Sequence, residues 1–430
     1  MPTNTRKTNR TSKKENIYMI ELTGKYNSCK IFTDIVDNNT ISHIMAFLNQ
    51  ESLKGSRIRI MPDCHDGKGA VIGTTMTITD KIIPNVVGVD IGCGMHTAKL
   101  KERHIDCPKL DSVIRSMIPS GGVIRDSVHK YANNTRIKEL RCIGNLNCHV
   151  SIPVADASIG TLGGGNHFIE VDADENGEKY LVVHTGSRRL GKDIADYYQQ
   201  LAYEELTNTG EKAKRIFKEM QAALIAELKA KGRTKDIQAE LAKLKVEQKH
   251  TDIPYELAYL EGSLFHDYIH DMQIAQEYAY WNRKAIIDTI VKAMKWNIID
   301  EFETIHNYID TKNMILRKGS ISARDGEKVL IPINMRDGSV IAIGKGNPDY
   351  NYSAPHGAGR LLSRSAAKES IGMNAFRESM NGIYTTSVCR STIDESPMAY
   401  KPINSILSNI QETVNVVAII KPIYNFKASE

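Results

Sequence analysis

The spacing of apolar positions predicts a chain of mixed α and β structure. Short apolar runs predict strands in IYMIEL and RIRIM, with a helix near residues 41–49 between them. The same pattern predicts a strand in YLVVHT, and the chain closes with a β-branched run, VNVVAIIKPIYNFK. The run IIPNVVGVDI is apolar and β-branched, so it predicts a buried strand that delivers Asp90 and Cys93 to a site at its end.

Two stretches have the composition and apolar spacing of helices. Residues from about 202 to 253 are rich in Ala, Glu, Lys, Leu and Gln, and they predict a protruding helical hairpin insertion. Its apolar seam would comprise Leu224, Leu228, Ile237, Leu241 and Leu244. The insertion could be a surface for a protein partner or simply a solvated excursion. The next stretch, 255–294, is more apolar and aromatic, which predicts a core helix.

Composition narrows the class of protein. The 430 residues are 41% hydrophobic and 25% charged, and 56 basic against 51 acidic residues leave a net charge of +5. Seven scattered cysteines without framework spacing predict reduced thiols and a cytoplasmic location. No signal peptide and no membrane-spanning run are found. Residues 1–16 predict a disordered basic arm ahead of one large domain, 17–430.

Several chemically capable side chains sit where predicted strands end beside glycine-rich turns. Five mixed oxygen, sulfur and nitrogen donors exceed the four of a closed structural zinc site, and they suit a two-metal centre with open positions for manganese or zinc. These candidate ligands are Asp90, Cys93, His167, His184 and His306. The histidines and cysteines between positions 104 and 149 lack metal-ligand spacing, so no second site is predicted there.

One further histidine is free for another role. In the segment HGAGR, the small residues Gly357, Ala358 and Gly359 leave room for a bulky group on the ring of His356, which could attack a phosphorus atom. Arg360 can neutralise phosphate charge. Arg188, in the loop of GSRR that opens a predicted helix, also favours an oxyanion.

With those residues in place, the chain resembles the RtcB-type RNA-splicing ligases. The resemblance runs from about residue 18 to residue 427 through motifs in the family's order. They are MPDCHDGKG, GVDIGCGM, GTLGGGNHFIE, HTGSR, HNY, RKGSISAR, HGAGR and SPMAYK. It implies an α+β fold with central β-sheets around a buried two-metal site. It also implies a GTP- and manganese-dependent enzyme that joins RNA 2′,3′-cyclic-phosphate or 3′-phosphate ends to 5′-hydroxyl ends.

The resemblance also implies roles for individual residues. Two Mn²⁺ ions would share Cys93, one held also by Asp90 and His167 and the other by His184 and His306. His356 would take guanylate from GTP and pass it to the RNA 3′-phosphate, and Asp63 would sit at the same centre. The nucleotide contacts would be Asn166, Glu170, Asn307, His356, Gly357, Ala358, Gly359, Tyr400 and Lys427. Arg188 and Arg360 would steady the RNA phosphate.

The chain departs from the family pattern at two places. It reads PINMRDGS at 332–339, a segment of the nucleotide pocket where the family usually carries Gly-Ser-Met-Gly, and it has Arg189 where Gly is usual, which adds charge near the RNA path. The helical insertion is larger than in the commoner family members, which suggests a specialised branch that repairs cleaved tRNA or ribosomal RNA in place of intron splicing. Two alternatives stay open: a metal-dependent RNA cyclic phosphodiesterase or phosphatase that does not ligate, and a non-catalytic protein that binds RNA ends.

Overall fold

The computed structural model describes residues 19–33 and 35–428. The predicted basic arm, residues 1–16, lies outside the described residues. The strands are β1 (Ile20–Thr23), β2 (Ser28–Ile31), β3 (Ile58–His65), β4 (Ile72–Thr77), β5 (Lys81–Ile82), β6 (Gly94–Leu100), β7 (Phe168–Ala173), β8 (Lys179–Thr185), β9 (Leu260–Glu261), β10 (Ile298–Ile305), β11 (Asn307–Asp310), β12 (Ile315–Lys318), β13 (Ser320–Ser322), β14 (Lys328–Asn334), β15 (Gly338–Gly344), β16 (Ser353–Pro355), β17 (Tyr384–Thr385) and β18 (Val414–Lys427).

The described residues also form α-helices between these strands. They are α1 (Asn38–Leu48), α2 (Pro84–Val87), α3 (Cys107–Met117), α4 (Ile152–Ser158), α5 (Arg188–Thr207), α6 (Gly210–Ala230), α7 (Ile237–Leu241), α8 (Gly262–Met294), α9 (Arg364–Ser370), α10 (Met373–Ser379) and α11 (Ile403–Asn409). None of the helices in the described part of the chain combines the length and apolarity that crossing a bilayer requires.

Two mainly antiparallel sheets dominate the residues described. The first has the order β1-β2-β3-β4-β12-β11, and the second has the order β10-β6-β8-β7-β18-β15-β14 with β17 added beside β18. The two curled sheets and the helices packed against them form one large α+β domain, as the sequence predicts. The long strand β18 pairs with β7 on one side and β15 on the other, so it is an interior strand of the second sheet.

Helix α8 is the core helix that the sequence predicts, although it begins at Gly262, after a short 3-10 turn at Tyr255–Leu257. Its first part packs in an apolar cluster with the first sheet and α5, through side chains such as Tyr268 and Met272. Its last turns, including Ile286 and Ile290, belong to a second cluster with β6, β7 and β8. The helix therefore connects the two main cores.

The strand predicted over IIPNVVGVDI is wrong. The segment begins with Ile82, the second residue of the two-residue strand β5, and continues into the short helix α2, which starts at Pro84 and ends at Val87. Proline has no amide hydrogen and its fixed φ suits the first helical position, while Gly88 leaves the helix at φ +94°. Val86 and Val87 are buried all the same, so burial and β-branching misled the prediction.

Candidate active site

The predicted metal ligands converge at one edge of the second sheet. Gly94, which follows Cys93 and opens β6, pairs with Thr185 at the end of β8 and with Ile305 at the end of β10. In β7, Phe168 pairs with His184. The register therefore brings together the turn before β6, the residue before β7, the end of β8 and the residue after β10. These positions belong to Asp90 and Cys93, His167, His184 and His306.

Backbone hydrogen bonds hold the turn that carries Asp90 and Cys93. The amide of Cys93 donates to the carbonyl of Asp90 at 3.2 Å, which closes the turn. The amide of Gly92 donates to the carbonyl of Asn307 at 2.7 Å, and the amide of His306 donates to the carbonyl of Cys93 at 2.9 Å. The backbone thus fixes the turn against the segment that carries the last ligand.

The donor atoms form two triads that share one sulfur. In the first, Nε2 of His167 lies 3.0 Å from Oδ2 of Asp90 and 3.5 Å from Sγ of Cys93. In the second, Nε2 of His184 lies 3.3 Å from that sulfur and 3.0 Å from Nε2 of His306. Within each triad the donor atoms lie within 4.8 Å of one another, and these are the two such groups found among the described residues.

The protonation states suit metal ligation. Burial and neighbouring histidines lower the pKa of His184, and burial lowers the pKa of His306 to about 3. Burial alone would raise the pKa of Asp90, but the hydrogen bond and charge of His167 outweigh it and lower that pKa to about 2. Burial and Asp90 raise the pKa of the Cys93 thiol, whose proton a coordinated cation would displace. The set therefore fits a metal pair.

The tautomer of His167 is set by its surroundings. Its Nδ1 lies 2.9 Å from the carbonyl oxygen of Leu162, which can only accept, so Nδ1 carries a proton and Nε2 is the nitrogen that faces Asp90 and Cys93, where a bound cation would take its lone pair. A carbonyl behind a ligating histidine is the usual support of a metal site.

His356 is oriented by a buried acid. Its Nδ1 lies 2.8 Å from Oδ2 of Asp63, and the same oxygen accepts the amides of His356 and Gly357 at 3.1 and 3.2 Å. Asp63 is 1% exposed. A carboxylate that accepts from Nδ1 keeps the proton there, so Nε2 is the free atom of the ring. The rings of His356 and His306 lie 5.0 Å apart, centroid to centroid.

A cavity of about 250 Å³ opens beside these rings. Most of the predicted nucleotide and phosphate residues line it: Asn166, Glu170, Asn307, His356, Gly357, Ala358, Gly359, Arg360, Tyr400 and Lys427. His184 and His306 line it as well. Asp63, Asp90, Cys93, His167 and Arg188 do not belong to the lining. The structure thus places the cavity against the second triad.

Arg188 stands apart from that cavity. Its backbone has φ +57°, and its guanidinium donates to Oγ1 of Thr161 at 3.2 Å and to the carbonyl of Gly121 at 2.9 Å. It lies against Gly163, where a Cβ would come within 1.6 Å of its Nη1. This explains one glycine of the turn GTLGGG: only a residue without a side chain leaves room for the guanidinium.

Glu395 organises the polar end of the cavity, and sequence reasoning missed it. Its Oε2 accepts from Nζ of Lys427 and from the hydroxyl of Tyr400, both at 2.7 Å, and its Oε1 accepts from Arg360 at 3.2 Å. Burial would raise its pKa, but Lys427 and Arg364 lower it to about 2. The only signal in the sequence is its place directly before the SPMAYK motif.

Two other buried charges belong to the same region. Burial raises the pKa of Glu170 to about 7 although Lys427 opposes the shift, and Nδ2 of Asn425 donates to this carboxyl. Burial lowers the pKa of Lys318 to about 7, and its Nζ donates to the carbonyls of Lys68 and Asn85. Lys318 lies in the motif RKGSISAR, but no sequence pattern distinguishes it from a surface lysine.

Comparison with known proteins identifies a family whose profile matches most of the chain. The profile described as "tRNA-splicing ligase RtcB" matches residues 48–428. The RNA-splicing ligase RtcB of Escherichia coli (strain K12) is 29% identical over 413 aligned residues, covering 85% of this chain and 88% of the relative. The tRNA-splicing ligase RtcB of Aeropyrum pernix is 28% identical, covering 85% and 86%. The RNA-splicing ligase RtcB2 of Escherichia coli is 24% identical, covering 87% and 88%.

Proposed function

The chain belongs to the RtcB family of RNA ligases, and from that membership we propose that it joins RNA 2′,3′-cyclic-phosphate or 3′-phosphate ends to 5′-hydroxyl ends. GTP would be consumed, and Mn²⁺ would be the metal. The observation that carries the proposal is the contact between Asp63 and His356, which leaves Nε2 of His356 free beside a cavity and next to a cluster of metal ligands. A phosphate-binding protein without covalent chemistry has no need of such an arrangement.

The metal roles follow the two triads. Asp90, Cys93 and His167 would hold one ion, and Cys93, His184 and His306 would hold the other. Such a pair neutralises phosphate charge and stabilises the displacement of groups at phosphorus. The histidines and the thiol also suit zinc, so Mn²⁺ rests on family membership and on resemblance.

His356 would be the nucleophile. Its Nε2 forms a bond to the α-phosphorus of GTP while the bond from that phosphorus to the β-phosphate oxygen breaks, and pyrophosphate leaves. Asp63 keeps the Nδ1 proton in place and balances the positive charge that develops on the ring, so it is a positioning residue. The cavity supports the nucleotide roles: Glu170 and Lys427 for the guanine edge, Tyr400 for its ring, and Asn166 and Asn307 for phosphate.

The remaining steps use the guanylate as a leaving group. Water opens a cyclic phosphate to a 3′-phosphate, breaking the bond from phosphorus to the 2′-oxygen. An oxygen of that 3′-phosphate then attacks the guanylate phosphorus, and the bond to His356 breaks. Finally the RNA 5′-hydroxyl attacks the 3′ phosphorus, loses its proton, and GMP leaves. Arg188 and Arg360 would steady the RNA phosphate, although each is bonded to protein groups here.

We propose cleaved tRNA or ribosomal RNA as the substrate and the cytoplasm as the location. The PINMRDGS segment supports a specialised nucleotide pocket, because Pro332, Asn334 and Gly338 line the cavity. The seven cysteines are free thiols, in keeping with a reducing compartment. A strain lacking the protein should accumulate cleaved tRNA or ribosomal RNA under RNA-damage stress; unchanged levels would refute this substrate class.

The decisive experiment is labelling with α-labelled GTP. Purified protein is incubated with Mn²⁺ and resolved on a denaturing gel beside His356→Ala and a control, His250→Ala, whose side chain is 88% exposed. We expect acid-labile label on the unmodified chain and on the control, and none on His356→Ala. Absence of label from every chain, with Mn²⁺ bound, would favour the phosphodiesterase or the binding protein over ligation.

A further inference from the structure

Helix α8 carries two adjacent polar side chains that the proposed chemistry does not use. Asn282 and Arg283 are both 0% exposed. They lie in the part of the helix where its packing changes from the first apolar cluster to the second. A guanidinium or an amide without access to water needs hydrogen-bond partners within the protein, so the groups that it contacts indicate its role.

Arg283 contacts every segment of the second triad. Its Nη1 donates to the carbonyl of Gly92 at 2.7 Å and to the carbonyl of Thr185 at 2.8 Å, and its Nε donates to Oε1 of Glu303 at 2.8 Å. Gly92 directly precedes Cys93, and Thr185 directly follows His184. Glu303 lies in β10, which leads into His306. One planar guanidinium therefore holds the main chain beside Cys93 and His184 and a side chain of the strand that leads into His306.

Asn282 contacts one loop that Arg283 does not touch, at Gly160 and Thr161, and the loop that follows His184. Its Oδ1 accepts the amides of Gly160 and Thr161 at 2.8 and 3.1 Å. Its Nδ2 donates to the carbonyl of Thr161 at 3.1 Å, to the carbonyl of Gly186 at 3.0 Å and, at 3.4 Å, to Oγ1 of Thr185. Four of these five contacts are to main-chain groups, so the side chain fixes the course of the two loops.

Those two loops support the first triad. Thr161 leads into Leu162, whose carbonyl oxygen fixes the tautomer of His167. Gly186 lies against the carboxylate of Asp90, since a Cβ there would come within 2.1 Å of Oδ1. Displacing either loop by a fraction of an ångström would move a donor atom of the first triad.

We propose that Asn282 and Arg283 are positioning residues that divide the metal site between them: Arg283 sets the triad of Cys93, His184 and His306, and Asn282 sets the triad of Asp90, Cys93 and His167. This inference rests on the proposed metal pair and goes beyond it. Two neighbouring residues of helix α8 would position ligands that come from distant parts of the sequence. Supporting residues of this kind typically contribute 10- to 100-fold to metal affinity.

Single-site chains test the division. Asp90→Ala leaves the second triad intact, and His306→Ala leaves the first. Arg283→Lys keeps the charge but replaces the planar fork by a point donor, while Asn282→Asp keeps the size and an acceptor but loses the N–H donors. Each is placed in both single-site chains, and Mn²⁺ affinity is measured by calorimetry without GTP or RNA.

Arg283→Lys should weaken Mn²⁺ binding about 10- to 100-fold in the Asp90→Ala chain. The loss should be smaller in the His306→Ala chain, where Arg283 acts only through the residue before the shared ligand Cys93. Asn282→Asp should show the reverse. Equal losses in both chains, or none in either, would overturn the proposal. Ile290→Ala, a buried change farther along the helix, should weaken neither site despite lower stability.

Two further controls keep the result interpretable. If Arg283→Lys does not fold, as judged by circular dichroism, Glu303→Gln takes its place, because it removes the counter-charge of the guanidinium from a side chain that is 20% exposed. Its loss should appear in the Asp90→Ala chain, and an equal effect on both chains would contradict the proposal. Failure of the proposed function itself looks different: the unmodified chain would bind no Mn²⁺.

Discussion

Glu395 shows what a single side chain contributes and what a sequence leaves hidden. It was not predicted because glutamate beside a motif is usually a solvated residue, and only the fold reveals that four donors from separate segments meet at its two oxygens. The histidines and Cys93 were predictable, since few other reasons place those side chains at strand ends beside glycine turns. Asn282 and Arg283 were not, because a helix interior gives no sign of its partners.

The depressed pKa of Glu395 leads to a pH-dependent prediction. A carboxyl whose pKa falls from 4.5 to about 2 on folding stabilises the protein above its unfolded pKa, and that contribution is lost as pH falls toward 2. Glu395→Gln should therefore lower the free energy of unfolding by up to about 3 kcal/mol at pH 7. The difference from the unmodified chain should shrink to roughly half by pH 3.

Urea titrations of the two proteins between pH 7 and pH 3 measure this difference. Other carboxyls titrate in both proteins, so their contributions cancel in the comparison. A control, Glu256→Gln, alters a carboxyl on the exposed 3-10 turn and should show no such trend. A difference between the proteins that stayed constant across the pH range would contradict the role given to the Glu395 charge.

Among the elements, the helical segment after α5 leaves the fold and rejoins it at one point. The chain leaves at Thr207 and returns to the same point, where the amide of Lys249 donates to the carbonyl of Thr207 at 2.8 Å. Within α6 only Leu228 is buried, while Leu224, Ile237, Leu241 and Leu244 are half-buried. The segment is therefore a helical insertion whose partly buried residues are those of the predicted apolar seam. A protein partner for it stays a prediction.

We therefore expect residues 209–248 to be removable. Replacing them with a short Gly-Ser linker costs contacts with α5, such as those of Glu211 with Tyr197 and Glu204 and the ion pairs of Lys212 and Arg215 with Glu205. None of these contacts involves a predicted metal ligand. The shortened protein should keep Mn²⁺ affinity and guanylate labelling within about twofold, since loop length changes stability only weakly. His356→Ala in the shortened chain gives the background. Loss of labelling in a folded, metal-binding protein would show that the insertion takes part in catalysis.

The elements also show where sequence patterns succeed and where they fail. Strands β7 and β8 and the start of α5 were predictable because turn glycines and apolar runs agree there. The segment before Asp90 was not, because Pro84 at a first helical position outweighs the strand preference of its isoleucines and valines. The pairing of β18 between β7 and β15 was equally beyond reach, since it joins residues far apart in the sequence.

For the molecule as a whole, the predicted metal ligands come from the same two cores that helix α8 joins. Asp90 and Cys93 follow α2, which belongs to the first apolar cluster. His167 directly precedes β7 and His184 lies in β8, and both strands belong to the second cluster. Helix α8 packs in both. Ions bound to both triads would thus add a second tie between the two cores, and only the folded chain presents such a site, because the five ligands are widely separated in the sequence.

Metal binding should therefore raise the thermal stability of the entire protein. An ion that binds only the folded state at 100 times its dissociation constant contributes about 2.7 kcal/mol per site, which corresponds to a few degrees in Tm for a chain of this size. Mn²⁺ should produce this rise in protein first treated with chelator, as followed by calorimetry. Ca²⁺ should not, because it prefers oxygen ligands. Cys93→Ala removes the donor that both triads share, so it should abolish the rise; an equal rise in that variant would mean that the stabilising ions bind elsewhere.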